Sequence, residues 1–148
     1  MDLKARLADD LTNAMKQRET VKVSTLRLLI SAIRNKEIEK KKTFADGDVL
    51  DVIQAEAKSR KESIEQYTTA GRKDLADKEA SELKVLTSYL PEQMTEAQLK
   101  EIVQATLVES GAKGTQDMGK IMSVLMPKIK GRVDGKQAQQ IVQQLLKP

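Results

Sequence analysis

The sequence contains no histidine and no cysteine. Zinc sites built on imidazole or thiolate, haem and iron–sulfur ligation, cysteine nucleophiles and Ser-His-Asp triads therefore lose the residues that they normally use. We predict no metal, no cofactor and no catalytic residue. Tryptophan is also absent, and the aromatic side chains are Phe44, Tyr67 and Tyr89. Stacking of single-stranded bases on aromatic rings is consequently not expected.

Long apolar runs are missing as well, since the longest aliphatic run is Leu28-Leu29-Ile30. A membrane-spanning helix needs about 20 mostly apolar residues, and a signal peptide needs a cationic start followed by an apolar run of about 7 to 15 residues. The first residues, MDLKARLADD, interrupt their apolar positions with charge. We therefore expect no membrane partner and a cytoplasmic protein.

What the chain does contain favours helices. Of its 148 residues 39% are hydrophobic and 32% are charged, while glycine (7) and proline (3) are sparse. Few aromatic residues and many charged ones are typical of long, salt-bridged helices rather than sheets. We predict an all-α fold with a helical N-terminal part of about four helices and a small three-helix C-terminal domain.

Apolar residues that recur every three to four positions define the predicted helices. They span residues 3–17, 21–41, 49–69 and 72–88 in the N-terminal part, and residues 96–109, 118–127 and 135–146 in the C-terminal part. Asp48 and Asp117 are predicted to cap the third and sixth helices. In the third helix, Lys58, Arg60 and Lys61 each have an acidic neighbour four residues away, which indicates solvated surface pairs.

The domain boundary is predicted at Leu90-Pro91, which gives domains 1–90 and 91–148. Proline disfavours helical conformation in the residue before it. Thr95 to Gln98 then reads as a capping box that opens the next helix. Further on, Pro127 should kink or stop the sixth helix, because proline lacks a backbone donor.

Charge is distributed unevenly along the chain. From Met118 to Pro148 there is one anion, Asp134, against six cations, for a net +5: Lys120, Lys128, Lys130, Arg132, Lys136 and Lys147. The whole chain is +4, so residues 1–117 sum to −1. A local excess of this kind is what a polyanion-binding surface needs.

The candidate nucleic-acid-binding residues cluster on the turn around Gly131 and Gly135. They are Lys128, Lys130, Arg132 and Lys136, with Lys120 as a weaker fifth member. Gly131 would let backbone approach a ligand, and the start of the seventh helix offers free N–H groups to phosphate. If Asp134 caps that helix, however, phosphate must bind the side chains instead. An ordinary solvated charged surface remains an open alternative.

Arg27, Arg34 and Lys41 are secondary candidates, because they repeat every seven residues along one edge of the second helix. Such a row can present charge to a phosphate backbone. The alternative is that the three side chains lay their aliphatic stems over the core rim and keep their charges in water.

The remaining sequence patterns do not indicate a catalytic or nucleotide-binding site. Glu37 lies close to the apolar face of the second helix, and we interpret it as a partner of Lys41 rather than as a catalytic carboxylate. Met118, Met122 and Met126 fit either an adaptable binding surface or a core stripe. Neither a phosphate loop nor a dinucleotide-binding glycine motif is present.

The stretch MGKIMSVLMPKIKGRVDGK resembles the YqeY family, stand-alone proteins similar to the tail region of the GatB subunit of tRNA-dependent amidotransferases. Supporting segments are STLRLLISAIRNKEIEK, KSRKESIEQYTTAGRKDLADKE and YLPEQ. The resemblance covers essentially the whole chain.

This resemblance implies an all-α accessory protein that contacts tRNA or another structured RNA and has no catalysis of its own. Two alternatives remain. One is carbon–nitrogen ligase activity with glutamine as amido-N-donor, in line with the amidotransferase relationship. The other is a helical adaptor with a protein partner in translation.

Overall fold

The computed structural model describes residues 2–146, and in that range it contains α-helices and no β-strand. A 3-10 turn, Thr115–Asp117, precedes the sixth helix. The prediction of an all-α fold is confirmed. The helices are α1 (Leu3–Lys16), α2 (Thr20–Lys40), α3 (Asp46–Thr69), α4 (Lys73–Thr87), α5 (Glu96–Ser110), α6 (Met118–Ile129) and α7 (Gly135–Leu146).

The helices form two compact units that meet in sequence at Leu90-Pro91. Unit 1 contains α1 to α4, and unit 2 contains α5 to α7. None of the helices in the described range is long and apolar enough to cross a membrane. That each unit folds as an independent domain stays a prediction.

Unit 1 is built around α2, which packs against α1, α3 and α4. Leu7, Leu26, Leu29, Val49 and Ile53 are almost fully buried in its core. Full burial of a side chain of this size stabilises a fold by about 1.5–3 kcal/mol, so this cluster fixes how the four helices pack.

Tyr89 closes one side of the unit 1 core and is itself buried. Its hydroxyl donates to the Asp10 carboxylate at 2.6 Å, which joins the end of α4 to α1. Burial first, and then this hydrogen bond, raise the pKa of the Tyr89 hydroxyl. The hydroxyl is therefore neutral and a donor at physiological pH.

An ion-pair network joins α3 to α4. Arg60 pairs with Glu56 at 3.3 Å as the sequence predicts, but its Nε also lies 2.8 Å from Glu82 and 3.3 Å from Glu79. The Arg60 side chain is 14% exposed and that of Glu82 is 10% exposed. The prediction of a solvated surface pair was therefore wrong for Arg60, because its other partners are on a different helix.

Unit 2 closes its core with an apolar stripe on α6. Ile121, Leu125 and Ile129, spaced four residues apart, are fully buried against α5 and α7. Met118, Met122 and Met126 are partly buried against the same core. The core interpretation of these methionines is therefore the better one.

Local hydrogen bonds decide where the helices begin. The predicted Asp48 cap was wrong, and Asp117 lies at its predicted N-cap position but does not make the cap bond. Asp48 is the third residue of α3 rather than its cap, and its carboxylate accepts from the Ala45 N–H at 3.1 Å. Asp117 precedes α6 but makes no side-chain cap bond, because its carboxylate accepts from the Lys113 N–H. The capping box of Thr95 and Gln98 is confirmed.

Pro127 lies inside α6, and the helix ends two residues later, at Ile129. The missing proline donor removes one bond in the final turn of the helix. The helix α6 therefore ends after Pro127 rather than at it. The turn that carries Lys130, Arg132 and Lys136, called the basic turn below, begins at Lys130.

Candidate nucleic-acid interface

The basic turn follows the C-terminus of α6. Lys130 N–H donates to the Met126 carbonyl at 2.9 Å, and Arg132 N–H donates to the Ile129 carbonyl at 2.9 Å. Gly131 between them has φ of +77°, a conformation that favours glycine. The geometry of the helix end therefore favours glycine at this position.

The segment before α5 lies over this turn and fixes it. Gln93 Nε2 donates to the Gly131 carbonyl at 2.8 Å, and Met94 N–H donates to the Arg132 carbonyl at 3.0 Å. Gly131 is buried. The expectation that Gly131 opens the backbone to a ligand was wrong, because residues 93–94 already occupy that position.

The four lysines predicted to bind nucleic acid are all exposed: Lys120, Lys128, Lys130 and Lys136. Lys128 Nζ lies 3.1 Å from a Glu109 carboxylate oxygen, with side chains 41% and 67% exposed. In the part of the chain that the structure describes, neither Lys120 nor Lys136 pairs with a carboxylate. Lys120 and Lys128 are separated by about 12 Å along α6, from the helical rise.

Arg132 differs from the lysines, because it is half-buried and its Nε donates to the Glu92 carbonyl at 3.0 Å. The bond uses one guanidinium nitrogen and leaves the two terminal nitrogens for a ligand. Arg132 therefore both fixes the turn and remains a candidate contact.

The N-terminus of α7 is occupied as the sequence suggested. The Asp134 carboxylate accepts from the Lys136 N–H at 3.1 Å, and the Asp134 carbonyl accepts from the Ala138 N–H at 3.1 Å. A carboxylate at this position satisfies the donors that an anion would use and repels the anion. Any phosphate at this turn must therefore bind side chains.

Sequence reasoning missed a row of amides beside Lys136. The outer face of α7 consists mainly of exposed glutamines: Gln137, Gln139, Gln140, Gln143 and Gln144. Opposite them Ala138, Ile141 and Val142 are buried. The repeated Gln-Gln pairs were the available signal. Each amide carries both donor and acceptor groups, which suits hydrogen bonding to ribose hydroxyls and phosphates.

Two of the secondary candidates, Arg27 and Arg34, lie on α2 of unit 1, and Lys41 is the residue that follows its last turn, in left-handed conformation; all three are exposed. Arg27 Nη2 is 3.3 Å from the Met15 sulfur. Among residues 2–146 no carboxylate pairs with any of the three. Arg34 also borders a recess lined by Leu7, Ala8 and Ile30. The row is thus both charged and next to apolar surface.

Glu37 does not pair with Lys41 as predicted. Its carboxylate binds Lys4 Nζ at 2.6 Å and accepts from the Phe44 N–H at 2.7 Å. The Lys4 hydrogen bond, followed by that of Phe44, lowers the pKa of Glu37. A general acid or base at neutral pH needs the opposite shift, so the geometry favours a structural role.

Comparison with known proteins decides the family. The sequence family described as Yqey-like protein matches residues 4–146. The chain belongs to the YqeY family. Among YqeY relatives, altered inheritance of mitochondria protein 41, mitochondrial, of Pyrenophora tritici-repentis is 33% identical over 144 residues, which are 95% of this chain and 79% of that protein.

Two yeast proteins of the same name are also similar. That of Saccharomyces cerevisiae strain YJM789 is 30% identical over 117 residues, covering 74% of this chain and 63% of that protein. That of Kluyveromyces lactis is 40% identical over 86 residues, covering 57% of this chain and 46% of that protein. The matched region is thus only about half of the Kluyveromyces protein.

The names of these relatives contradict the predicted cytoplasmic location, because they place the relatives in mitochondria. The prediction was wrong because it rested on the lack of an apolar run. Such a lack argues against a membrane-spanning segment in these residues, but it does not identify a compartment.

Proposed function

We propose that this YqeY protein is an accessory factor that binds folded RNA, tRNA in the first place, through the basic turn of unit 2. The observation that carries the proposal is the set of exposed lysines on α6 and the turn, at Lys120, Lys128, Lys130 and Lys136. These positions are fixed by the α6 core stripe and by the Gln93 and Met94 hydrogen bonds. The lysines are therefore presented on a preorganised surface.

The ion pair that Lys128 makes within the protein is weak enough for a phosphate to replace it. The pair of Lys128 and Glu109 is exposed, and exposed pairs of this kind contribute about 0–1 kcal/mol. A phosphate can replace Glu109 at little cost. Release of counterions from the RNA then supplies the favourable free energy.

The glutamine face of α7 supports RNA rather than an arbitrary polyanion. Gln137, Gln140 and Gln144 fall at i, i+3 and i+7, next to Lys136 on one exposed face. Uncharged amides add hydrogen bonds to ribose and phosphate without adding salt dependence. Lysines beside amides therefore fit a shape-reading interface on structured RNA.

The resemblance of the basic stretch to the GatB tail is consistent with tRNA as the partner. The mitochondrial names of the relatives are also consistent with it, because mitochondria contain their own tRNAs. We propose a binding role, since the family resemblance concerns the tail and not the catalytic parts of the amidotransferase.

The test is tRNA binding by the full chain with lysines 120, 128, 130 and 136 replaced together by alanine. Each lost phosphate contact should weaken binding about fivefold near 0.15 M salt, by the polyelectrolyte relation, so the quadruple variant should lose at least about a hundredfold. The matched control replaces Lys100 and Lys113, which are exposed in unit 2 but lie outside the turn. Equal affinities of parent and quadruple variant, with helicity retained, would refute the proposal.

A further inference from the structure

The solvent-facing side of α2 carries several large apolar residues. Val21, Leu28 and Ile38 are 42%, 57% and 69% exposed, and Met15 on the adjoining α1 is 43% exposed. These are four of the seven large hydrophobic residues that are exposed in the described chain. Clustered exposed apolar residues mark interaction surfaces, whereas scattered ones do not.

A row of cations runs beside this apolar surface. Arg27 and Arg34 are seven residues apart on α2, or about 10.5 Å along the helix axis, and Lys41 follows seven residues later as the C-terminal cap residue of the helix. All three are exposed, and within residues 2–146 none forms an ion pair with a carboxylate, although Glu37 lies close enough to Arg34 for that charge to lower the Glu37 pKa. Their charge is thus available to a partner.

Two of the cations border apolar recesses at the junction of α1 and α2. Arg27 lies beside a recess formed by Met15, Val23 and Leu28, together with Arg18. Arg34 borders a second recess, whose lining includes Leu7, Ala8 and Ile30. Both recesses thus combine apolar lining residues with cations, and the two follow each other along α2; the second is also lined by Glu37, which pairs with Lys4.

We propose that this face of unit 1 is a docking surface for an acidic amphipathic helix of a partner protein, a function separate from RNA binding by unit 2. If the partner helix lies along α2, apolar residues that repeat once every two turns of the partner helix would place their side chains in the recesses. Carboxylates at the same seven-residue interval would then meet Arg27, Arg34 and Lys41. Placement of an amphipathic helix in a groove is an established mode of peptide recognition.

The chemistry of the face selects this occupant over three others. A second copy of α2 would bring Arg34 and its neighbouring cations against like charges, which disfavours self-association. RNA would use the cations but leave Leu28 and Ile38 uncovered, and none of the three aromatic residues lies on this face. A membrane would prefer one broad apolar face, whereas Ser24, Ser31 and Asn35 interrupt this one.

The experiment uses two fluorescein-labelled 21-residue helical peptides and the full-length protein. The acidic peptide has leucine every seven residues with flanking glutamates, and the basic peptide replaces each glutamate by lysine. The parent should bind the acidic peptide at least tenfold more tightly than the basic one in fluorescence anisotropy. The double variant R34E/K41E should reverse this preference.

The control variant K36E/K40E changes the same charge on the same helix, at residues that border a different recess beside Phe44. It should retain the parental preference. Leu28→Ser should weaken the acidic peptide at least threefold and leave tRNA binding unchanged. This variant tests the proposal even if the charge reversals impair folding, because Leu28 is exposed.

Three results would overturn the inference: equal affinity of the parent for both peptides, no effect of Leu28→Ser, or no reversal by a folded R34E/K41E variant. Parallel arms with tRNA and with phosphatidylglycerol vesicles identify the other occupants. If R34E/K41E weakens either of these ligands tenfold while peptide binding is unchanged, the face belongs to that ligand instead.

Discussion

Replacing Arg60 by methionine should destabilise unit 1 by about 2–4 kcal/mol. The change removes a guanidinium that lies 2.8 Å from Glu82, 3.3 Å from Glu79 and 3.3 Å from Glu56. Breaking a buried ion pair costs about 3–5 kcal/mol, because the remaining charge loses its partner. The carboxylates are 10% to 32% exposed, so water offsets part of that loss.

Both tyrosines, Tyr67 and Tyr89, precede Leu90, so tyrosine fluorescence during urea unfolding reports on unit 1 alone. Arg72→Ala is the matched control. It breaks a pair with Asp74 whose side chains are 57% and 66% exposed, and the expected loss is below about 0.5 kcal/mol. Adding Glu82→Leu to Arg60→Met should recover part of the stability, since an apolar replacement removes the most buried of the three carboxylates that lose their partner.

If Arg60→Met and Arg72→Ala shift the urea midpoint equally, the network does not hold α3 to α4. The same conclusion follows if Glu82→Leu fails to restore stability to the Arg60→Met variant. Equal m-values across the variants would show that the shifts of the urea midpoint come from changes in the free energy of unfolding and not from a change in the compactness of the denatured state.

Three further predictions concern the caps, pH and the unit boundary. Thr95→Ala should destabilise unit 2 by about 1 kcal/mol, because it removes the cap of α5. The loss should appear as faster hydrogen exchange of the first α5 amides. The control Thr12→Ala, on the exposed face of α1, should leave the exchange of these amides unchanged. Glu37→Gln should lower stability most at neutral pH, because a depressed carboxyl pKa stabilises the fold above the ordinary value of 4.5 and loses this effect as the pH falls below it. A urea midpoint difference from the parent that is as large at pH 3 as at pH 7 would contradict this. Proteinase K should cut first within residues 91–95 or 41–45, and a first cut within residues 99–108 would refute the division into two units.

Features set by neighbours in sequence were predicted well. The α6 core stripe and the Thr95 capping box depend on residues three or four positions apart, and both are present. Asp48 and Asp117 were predicted as caps because the residue type fits. The structure uses each carboxylate for a different nearby N–H, a choice between local bonds that residue type does not determine.

Features set by distant segments were missed. Arg60 is 19 and 22 residues from Glu79 and Glu82, so an i, i+4 pattern shows only its most exposed partner, Glu56. Similarly, Gly131 and Arg132 are covered by residues 92–94, almost 40 positions earlier. The sequence identifies the basic cluster, but only the fold shows that its backbone is closed and that its lysines remain exposed.

The salt dependence of tRNA binding tests the central claim most directly. If four lysines contact phosphates, a plot of log association constant against log salt concentration should have a slope of roughly −3 to −4, at about 0.7–0.9 per phosphate. Each single lysine-to-alanine change should reduce the slope by about one unit and weaken different tRNAs alike. A slope near zero, or an identical slope after all four lysines are replaced in a folded variant, would contradict phosphate binding at the basic turn.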